Sequence, residues 1–102
     1  MSAAVPGTIV LDIGKTNAKL TLIDAAGGTL AERRTPNTVR RVGPYPHHDT
    51  ERLWSWMLGQ LRELAALADI RAIVPVTHGA TAALIDDAGL VLPVLDLSLI
   101  HI

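Results

Sequence analysis

The chain has 102 residues, 49% of them hydrophobic, and its formal net charge is −1. This composition is typical of one globular domain, and so little charge gives no electrostatic reason to expect nucleic acid or an anionic membrane as a partner. The sequence contains no cysteine, which excludes disulfides and thiolate metal sites, and no apolar run reaches the roughly 18 residues of a membrane-spanning helix. Without a signal-peptide pattern at the N-terminus, a cytoplasmic location is expected.

The first third of the chain predicts a β-meander. Residues 8–13 are apolar and rich in β-branched side chains, as in a buried strand. Residues 17–24 alternate between two faces, which predicts a second strand. Residues 25–28 end in two glycines, which accept the positive φ that tight turns need. Residues 29–35 then continue as a third strand.

The middle of the chain predicts a loop followed by one helix. Residues 36–48 contain three prolines, which favours a loop. Asp49 or Thr50 is expected to cap a helix. Apolar side chains then recur at helical spacing, at Leu53, Trp54, Met57, Leu58, Leu61, Leu64 and Ala65. Trp54 and Trp56 are interpreted as packing residues rather than as a stack for a ligand.

The last third of the chain predicts more strands. Residues 72–76 form a fourth strand that ends at Thr77-His78-Gly79, and residues 81–85 and 90–95 form a closing hairpin around an aspartate-rich turn. The crossover that contains the helix is long enough to return the fourth strand parallel to its predecessor. The predicted fold is therefore a mixed α/β sheet.

Gly14-Lys15-Thr16 invites comparison with a P-loop, the phosphate-binding loop with the pattern G-x-x-x-x-G-K-[ST]. The position five residues before Gly14 is Ile9 rather than glycine. The residues after Thr16 also have the pattern of a strand, whereas a P-loop opens a helix. Both observations argue against a P-loop.

A strand–turn–strand could instead hold phosphate in the turn itself, because successive backbone N–H groups in a turn form an anion site. Gly14 would let the backbone come close to a phosphate oxygen, and Thr16 and Asn17 would add side-chain donors. Asp12 would then need a cation between its carboxylate and the phosphates, and Mg²⁺ suits that place. Lys19 could reach a phosphate or stay solvated. An ordinary hairpin that binds nothing remains the alternative.

Residues 12–19, DIGKTNAK, resemble the D-x-G-x-T-x-x-K opening of the FGGY carbohydrate kinases, which belong to the superfamily of actin-like ATPases. The later stretch AIVPVTHGATAALIDDAGLVLP resembles the family's strand, sugar-contact turn and hairpin. The resemblance covers residues 8 to about 96, and the subgroup it suggests is that of the L-fuculose and rhamnulose kinases. It implies an α/β fold with a mixed sheet of the ribonuclease-H-like, actin-like ATPase type, of which this chain is the incomplete N-terminal part.

The same resemblance implies a sugar kinase that moves the γ-phosphate of MgATP to a hydroxyl of a small sugar, a ketose. The implied cofactors are ATP and Mg²⁺, with Asp12 acting on the metal ion. The residues implied at the phosphates are Gly14, Thr16, Asn17 and Lys19, and those implied at the sugar are His78, Gly79 and Ala80. Relatives carry larger side chains at the positions of Gly79 and Ala80, so the inherited sugar specificity stays open.

Residues 1–96 are interpreted as a partial N-terminal kinase domain, and the apolar residues 97–102 as a tail that is not native. The implied catalytic base lies beyond residue 102. The fragment alone is therefore expected to be inactive and to need the remaining C-terminal part of its own chain. Two other functions stay open: a non-catalytic actin-like or sugar-sensing protein that binds nucleotide or sugar without transfer, and a small α/β domain whose turn binds nothing.

The remaining candidate residues have less specific patterns. A surface loop is favoured over a metal site for His47, His48 and Asp49, because adjacent histidines on an extended loop do not easily share one ion. A lid near the sugar is the alternative. A functional and a structural role are equally open for His78, which follows a buried strand and precedes a glycine. A local basic patch is interpreted as a solvated surface, at Arg33, Arg34, Arg40 and Arg41.

Overall fold

The computed structural model describes residues 5–79 and 81–96. The elements in chain order are β1 (Pro6–Ile13), β2 (Asn17–Asp24), β3 (Thr29–Pro36), β4 (Val39–Arg40), β5 (His47–His48), α1 (Thr50–Ala65), β6 (Asp69–Thr77), β7 (Thr81–Ala82), β8 (Ile85–Asp86), β9 (Gly89–Leu90) and β10 (Leu95–Asp96). Ala80 and residues 97–102 lie outside the described residues, so the predictions for Ala80 and for the tail are not tested.

The four long strands form one mixed sheet in the order β3-β2-β1-β6. Strand β2 pairs antiparallel with both β1 and β3, which confirms the predicted meander. Strand β6 lies parallel to β1 on the opposite side from β2, and α1 makes the connection between β3 and β6. The predicted α/β fold with a mixed sheet is confirmed.

One face of the sheet packs against α1 because apolar side chains alternate along β1 and β2. The main cluster joins Ile9, Leu20 and Leu22 from the sheet to Leu64 in the last turn of the helix and Ala68 just after it. A second cluster joins Ala18 to Leu53 and Met57 at the start of the helix. The helix therefore lies along β2, with its first turns beside the end of β1.

Helix α1 begins where the sequence predicts. Asp49 is the N-cap, and its side chain accepts a hydrogen bond from the backbone N–H of Arg52 at 3.4 Å. The prediction that both tryptophans pack in the core is wrong for Trp54, whose side chain is 59% exposed. Trp56 packs against both clusters, because it lies on the helix face that contacts the sheet.

The predicted loop and closing hairpin are partly wrong. Residues 36–48 contain the short strands β4 and β5, which join β10 and β7 in a small sheet of order β4-β5-β10-β7. The hairpin is confined to β8 and β9, while Thr81 pairs with Asp96. Long-range pairing to β5 and β7 therefore replaces the longer local hairpin. No helix in the described part of the chain has both the length and the apolar character needed to cross a membrane.

Candidate functional site

Three charged residues lie side by side on neighbouring strands at one end of the long sheet. Asp12 on β1 is opposite Lys19 on β2, and Lys19 is in turn opposite Arg34 on β3. Cross-strand partners share a face of a sheet, so these side chains form a row on the face opposite the buried Ala18. Arg34 forms its ion pair with Glu32, at 3.2 Å. Lys19 and Arg34 therefore stand beside two carboxylates, those of Asp12 and Glu32, and Glu32 partly balances the charge of Arg34.

This row borders a cavity of about 220 Å³ beside the β1–β2 turn. The cavity is lined by Asp12, Gly14, Thr16, Asn17, Lys19 and Arg34. The structure thus brings together every residue that the sequence placed at the phosphates and the metal ion. Arg34 was assigned to a solvated patch instead, and only the strand register shows that it stands opposite Lys19.

The backbone N–H groups of the β1–β2 turn are not all free to bind an anion. The N–H of Gly14 donates to the carbonyl of Asn17 at 2.8 Å, so this donor is used within the turn. A Cβ at Gly14 would lie 3.1 Å from the same oxygen, which explains the glycine as a close approach within the turn. Within the described part of the chain, neither Lys15 nor Thr16 donates its backbone N–H in a hydrogen bond. The N–H groups of Lys15 and Thr16 are therefore the better candidates to donate hydrogen bonds to an anion.

The turn is also held by a residue that the sequence did not indicate. The side-chain Nδ2 of Asn37 donates to the carbonyl of Gly14 at 2.7 Å, and its backbone N–H donates to the carbonyl of Thr16 at 2.9 Å. Asn37 is buried, with 5% of its surface exposed. Its place directly after β3 lets one residue bond two carbonyl groups of the turn.

A larger cavity, of about 470 Å³, lies between the start of α1 and the ends of β1 and β6. Its walls include the apolar side chains of Ile13, Leu53, Met57 and Trp54, which accounts for the exposure of Trp54 to this space. Asn37 is one of the polar residues in the lining. The larger cavity is therefore next to the segment that holds the β1–β2 turn.

Two histidines meet at the wall of this larger cavity. His78 follows β6, and its ring centroid lies 5.5 Å from that of His48 in an edge-to-face arrangement. The Nε2 of His48 is 3.4 Å from the hydroxyl of Thr81. His48 is 6% exposed, so the prediction that it lies on a surface loop is wrong. The pairing of β5 with β10 draws it inward.

Burial sets the protonation state of His48. Desolvation lowers the pKa of this imidazole below its ordinary value, and the neighbouring charges of His78 and His47 act in the same direction. The carboxylate of the buried Asp96 acts in the opposite direction and does not outweigh burial. This shift favours the neutral form of the imidazole, which can both donate and accept a hydrogen bond.

The structure describes one other predicted sugar-contact residue, Gly79. Gly79 is exposed, and a Cβ there would have no atom within 4 Å. Space for a larger side chain is therefore present at this position. Within the described residues, no group of three or more histidine, cysteine or acidic side chains could hold a metal ion. A metal ion at Asp12 would have to take its other ligands from phosphate oxygens and water, as Mg²⁺ commonly does.

Comparison with solved structures identifies the class of protein to which this fold corresponds. No protein-family model and no curated protein matches the chain. A carbohydrate kinase from Novosphingobium aromaticivorans matches 89% of the chain with a TM-score of 0.80 and 35% sequence identity. A xylulose kinase from Lactobacillus acidophilus matches 89% with a TM-score of 0.74 and 19% identity, and a glycerol kinase from Plasmodium falciparum matches 93% with a TM-score of 0.65 and 10% identity.

The described structure is similar to part of a carbohydrate kinase, which confirms the resemblance inferred from the sequence motifs. The xylulose and glycerol kinases are too distant in sequence to support more than the shared fold. The chain spans about a fifth of the length of the solved kinases that it matches, at 20%, 19% and 21% of their chains.

Proposed function

We propose that this chain is part of an ATP-dependent carbohydrate kinase of the FGGY family, related to the L-fuculose and rhamnulose kinases. The enzyme transfers the γ-phosphate of MgATP to a hydroxyl of a small sugar, a ketose, in the cytoplasm. The observation that supports this most is the cavity at the β1–β2 turn, where Asp12, Gly14, Thr16, Asn17 and Lys19 meet. This cavity occurs in a chain whose matched region is 35% identical in sequence to a carbohydrate kinase.

The chemistry of the turn fits a nucleotide phosphate. The amides of Lys15 and Thr16 provide donors without charge, and Lys19 and Arg34 provide positive charge on the same face. Asp12 is half-buried, and in this proposal it holds Mg²⁺ in the usual manner of one carboxylate beside phosphate oxygens. When bound, Mg²⁺ neutralises charge on the phosphates. The residues of the chain orient the phosphates and hold the metal ion.

The larger cavity suits a sugar, which presents hydroxyl groups and apolar C–H faces. His78 offers its Nε2 to a ligand, since its Nδ1 is 2.6 Å from the carbonyl of Gly79, and the hydroxyl of Thr81 lies 3.4 Å from Nε2 of His48. Trp54 offers an apolar surface for the sugar ring. Gly79 and Ala80 remain in the proposed sugar site, where their small size leaves room beside the ligand.

The remaining parts of catalysis are proposed to lie elsewhere in the enzyme. Phosphoryl transfer needs a group that accepts the proton of the attacking hydroxyl, and we assign this catalytic base to a segment beyond residue 102. In this proposal residues 1–96 are part of the N-terminal domain and residues 97–102 are a tail that is not native. Closure of a second domain would exclude water during transfer. The 102-residue chain alone is then inactive.

The test is a kinase assay on the protein expressed from its complete reading frame. We expect ADP formation that depends on one of a panel of ketoses and aldoses. Asp12→Asn is expected to lower kcat/KM on the order of 100-fold, because the metal loses its carboxylate. Asp87→Asn, in the exposed β8–β9 turn, is the matched control and is expected to leave activity unchanged. MgATP binding without turnover for any sugar would favour the sugar-sensing alternative, and absence of MgATP binding would favour a turn that binds nothing.

A further inference from the structure

Asn37 connects the β1–β2 turn to the rest of the site. Its side chain bonds the carbonyl of Gly14 at 2.7 Å, its backbone N–H bonds the carbonyl of Thr16 at 2.9 Å, and the same residue lines the larger cavity. We propose that Asn37 is a positioning residue that orients the turn for phosphate binding and fixes the turn relative to the sugar cavity. The second part of this inference rests on the proposed kinase function.

The planarity of the peptide group explains how the hydrogen bond to the carbonyl of Gly14 orients the N–H of Lys15. In a trans peptide the carbonyl and the following N–H point in opposite directions. A carbonyl of Gly14 that points to Asn37 therefore turns the N–H of Lys15 away from Asn37. Asn37 borders the larger cavity and does not line the turn cavity. The two bonds thus remove two carbonyl oxygens, which would repel an anion, from the phosphate side.

The position of Asn37 is itself fixed by the helix. Arg52 on α1 donates from Nη1 to the hydroxyl of Thr35 at 3.2 Å and from Nη2 to the carbonyl of Pro36. These two acceptors immediately precede Asn37 in the chain. A continuous series of hydrogen bonds therefore runs from the first turns of α1, through the end of β3, to the β1–β2 turn. The same turns of α1 contribute Leu53 and Trp54 to the larger cavity.

The chemistry at this position requires a donor that carries no charge. Nδ2 of an asparagine has two N–H groups, whereas an aspartate of almost the same shape offers oxygen acceptors only. Asn37→Asp would place a carboxylate against the carbonyl of Gly14 within a buried site, and Asn37→Ala would remove the side-chain bond. Thr38 is the next residue, is exposed and makes no described hydrogen bond, so Thr38→Ala is a matched control.

The experiment measures MgATP binding by calorimetry and steady-state kinetics on the protein expressed from its complete reading frame. Asn37→Ala is expected to weaken MgATP binding by about 10- to 100-fold, the usual cost of losing a group that orients ligands, and Asn37→Asp to weaken it more. The KM for the sugar is expected to stay within about threefold in Asn37→Ala, because the hydrogen bond lost by the side chain is to the turn. Thr38→Ala is expected to match the wild type, because it changes neither the turn bonds nor the lining of the larger cavity. Circular dichroism at the assay temperature verifies that each variant is folded.

The outcomes separate this inference from the proposed function. Variants of Asn37 that are less stable but bind MgATP with unchanged affinity would show a purely structural residue and overturn the inference. A wild type that binds MgATP but turns over no sugar, with weakened binding in Asn37→Ala, would overturn the kinase function and keep the orienting role. A wild type that binds no MgATP would overturn both.

Discussion

Burial of His48 makes the stability of the fold depend on the protonation of this one side chain. The unfolded chain takes up a proton on this imidazole near its ordinary pKa of 6.5, whereas burial, with His78 and His47 nearby, lowers the pKa in the folded state. The charge of Asp96 opposes this shift without outweighing it. Between these two pKa values the unfolded state binds more protons, so the stability of the fold falls as the pH decreases from 6.5 through the folded-state pKa.

The measurement is the thermal unfolding midpoint of the wild type and of His48→Gln from about pH 8 to about pH 5, the range that spans histidine titration. Wild-type protein is expected to lose more thermal stability on acidification than the variant, because glutamine takes up no proton. Other titrating groups are common to both proteins and cancel in the difference. Parallel curves for the two proteins would show that His48 does not resist protonation in the fold.

The residues of the candidate site differ in how far they can be predicted from the sequence. Asp12, Gly14 and Asn17 are close together in the chain, so one hairpin brings them to one place and the motif is visible locally. Asn37 bonds Gly14 across 23 positions, and this contact exists only because β3 pairs with β2. His48 is buried because of its distant strand partners. Sequence spacing carries little information about such long-range pairs.

At the scale of elements, periodicity predicts the long elements and fails for the short ones. Strand β2 and helix α1 each contain enough residues for an alternating or helical pattern, and their positions agree with prediction. Strands β5, β7 and β10 have two residues each, which is too few to show a period of two. Their pairing is decided by where the long elements place them, so the predicted hairpin over residues 81–95 was too long.

The packing of strand β1 against its neighbours can be tested by a substitution at Gly7. A Cβ added at Gly7 would lie 2.8 Å from Cδ1 of Leu22 and 3.1 Å from Cβ of Ala68, and both neighbours are buried in the core. Because Leu22 and Ala68 must shift within a packed core to admit the added methyl group, Gly7→Ala is expected to lower the free energy of unfolding by about 1–3 kcal/mol. Denaturant unfolding of the purified chain measures this change.

Gly59 supplies the control for that substitution. It lies within α1, and a Cβ there would meet no atom within 4 Å. Alanine restricts the unfolded chain and favours helix, so Gly59→Ala is expected to raise the free energy of unfolding by about 0.5–1 kcal/mol. Opposite signs for the two substitutions would support the described packing of β1. A Gly7→Ala protein as stable as the wild type would contradict that packing.

At the scale of the whole molecule, the sheet is covered unevenly. Strand β6 is at the edge of the long sheet, and its apolar side chains are exposed on both faces, with Ile73 at 48%, Val74 at 45% and Val76 at 50%. The Cα radius of gyration is 16.1 Å, whereas a compact chain of this length has a value of about 13 Å. A long apolar edge strand with unpaired backbone groups is a template for association.

We therefore predict that the 102-residue chain self-associates through β6 and that Val76→Lys reduces this association. Val42→Lys is the matched control, because Val42 is similarly exposed, at 56%, but lies in the loop between β4 and β5. Sedimentation velocity over a range of protein concentrations measures the effect. A wild-type chain that stays monomeric, or a Val42→Lys chain that associates as little as Val76→Lys, would contradict a role for this edge.

Val76→Lys is expected to destabilise the complete protein if the chain is part of a larger kinase. In that enzyme we expect further segments of the chain to cover β6, so lysine at position 76 would place a charge in a buried contact. We expect Val76→Lys to lower the thermal stability of the protein expressed from its complete reading frame, and Val42→Lys to change it little, because buried charges without partners are costly and exposed substitutions are not. Equal tolerance of both substitutions would mean that β6 remains exposed in the complete protein, which would count against the proposed kinase architecture.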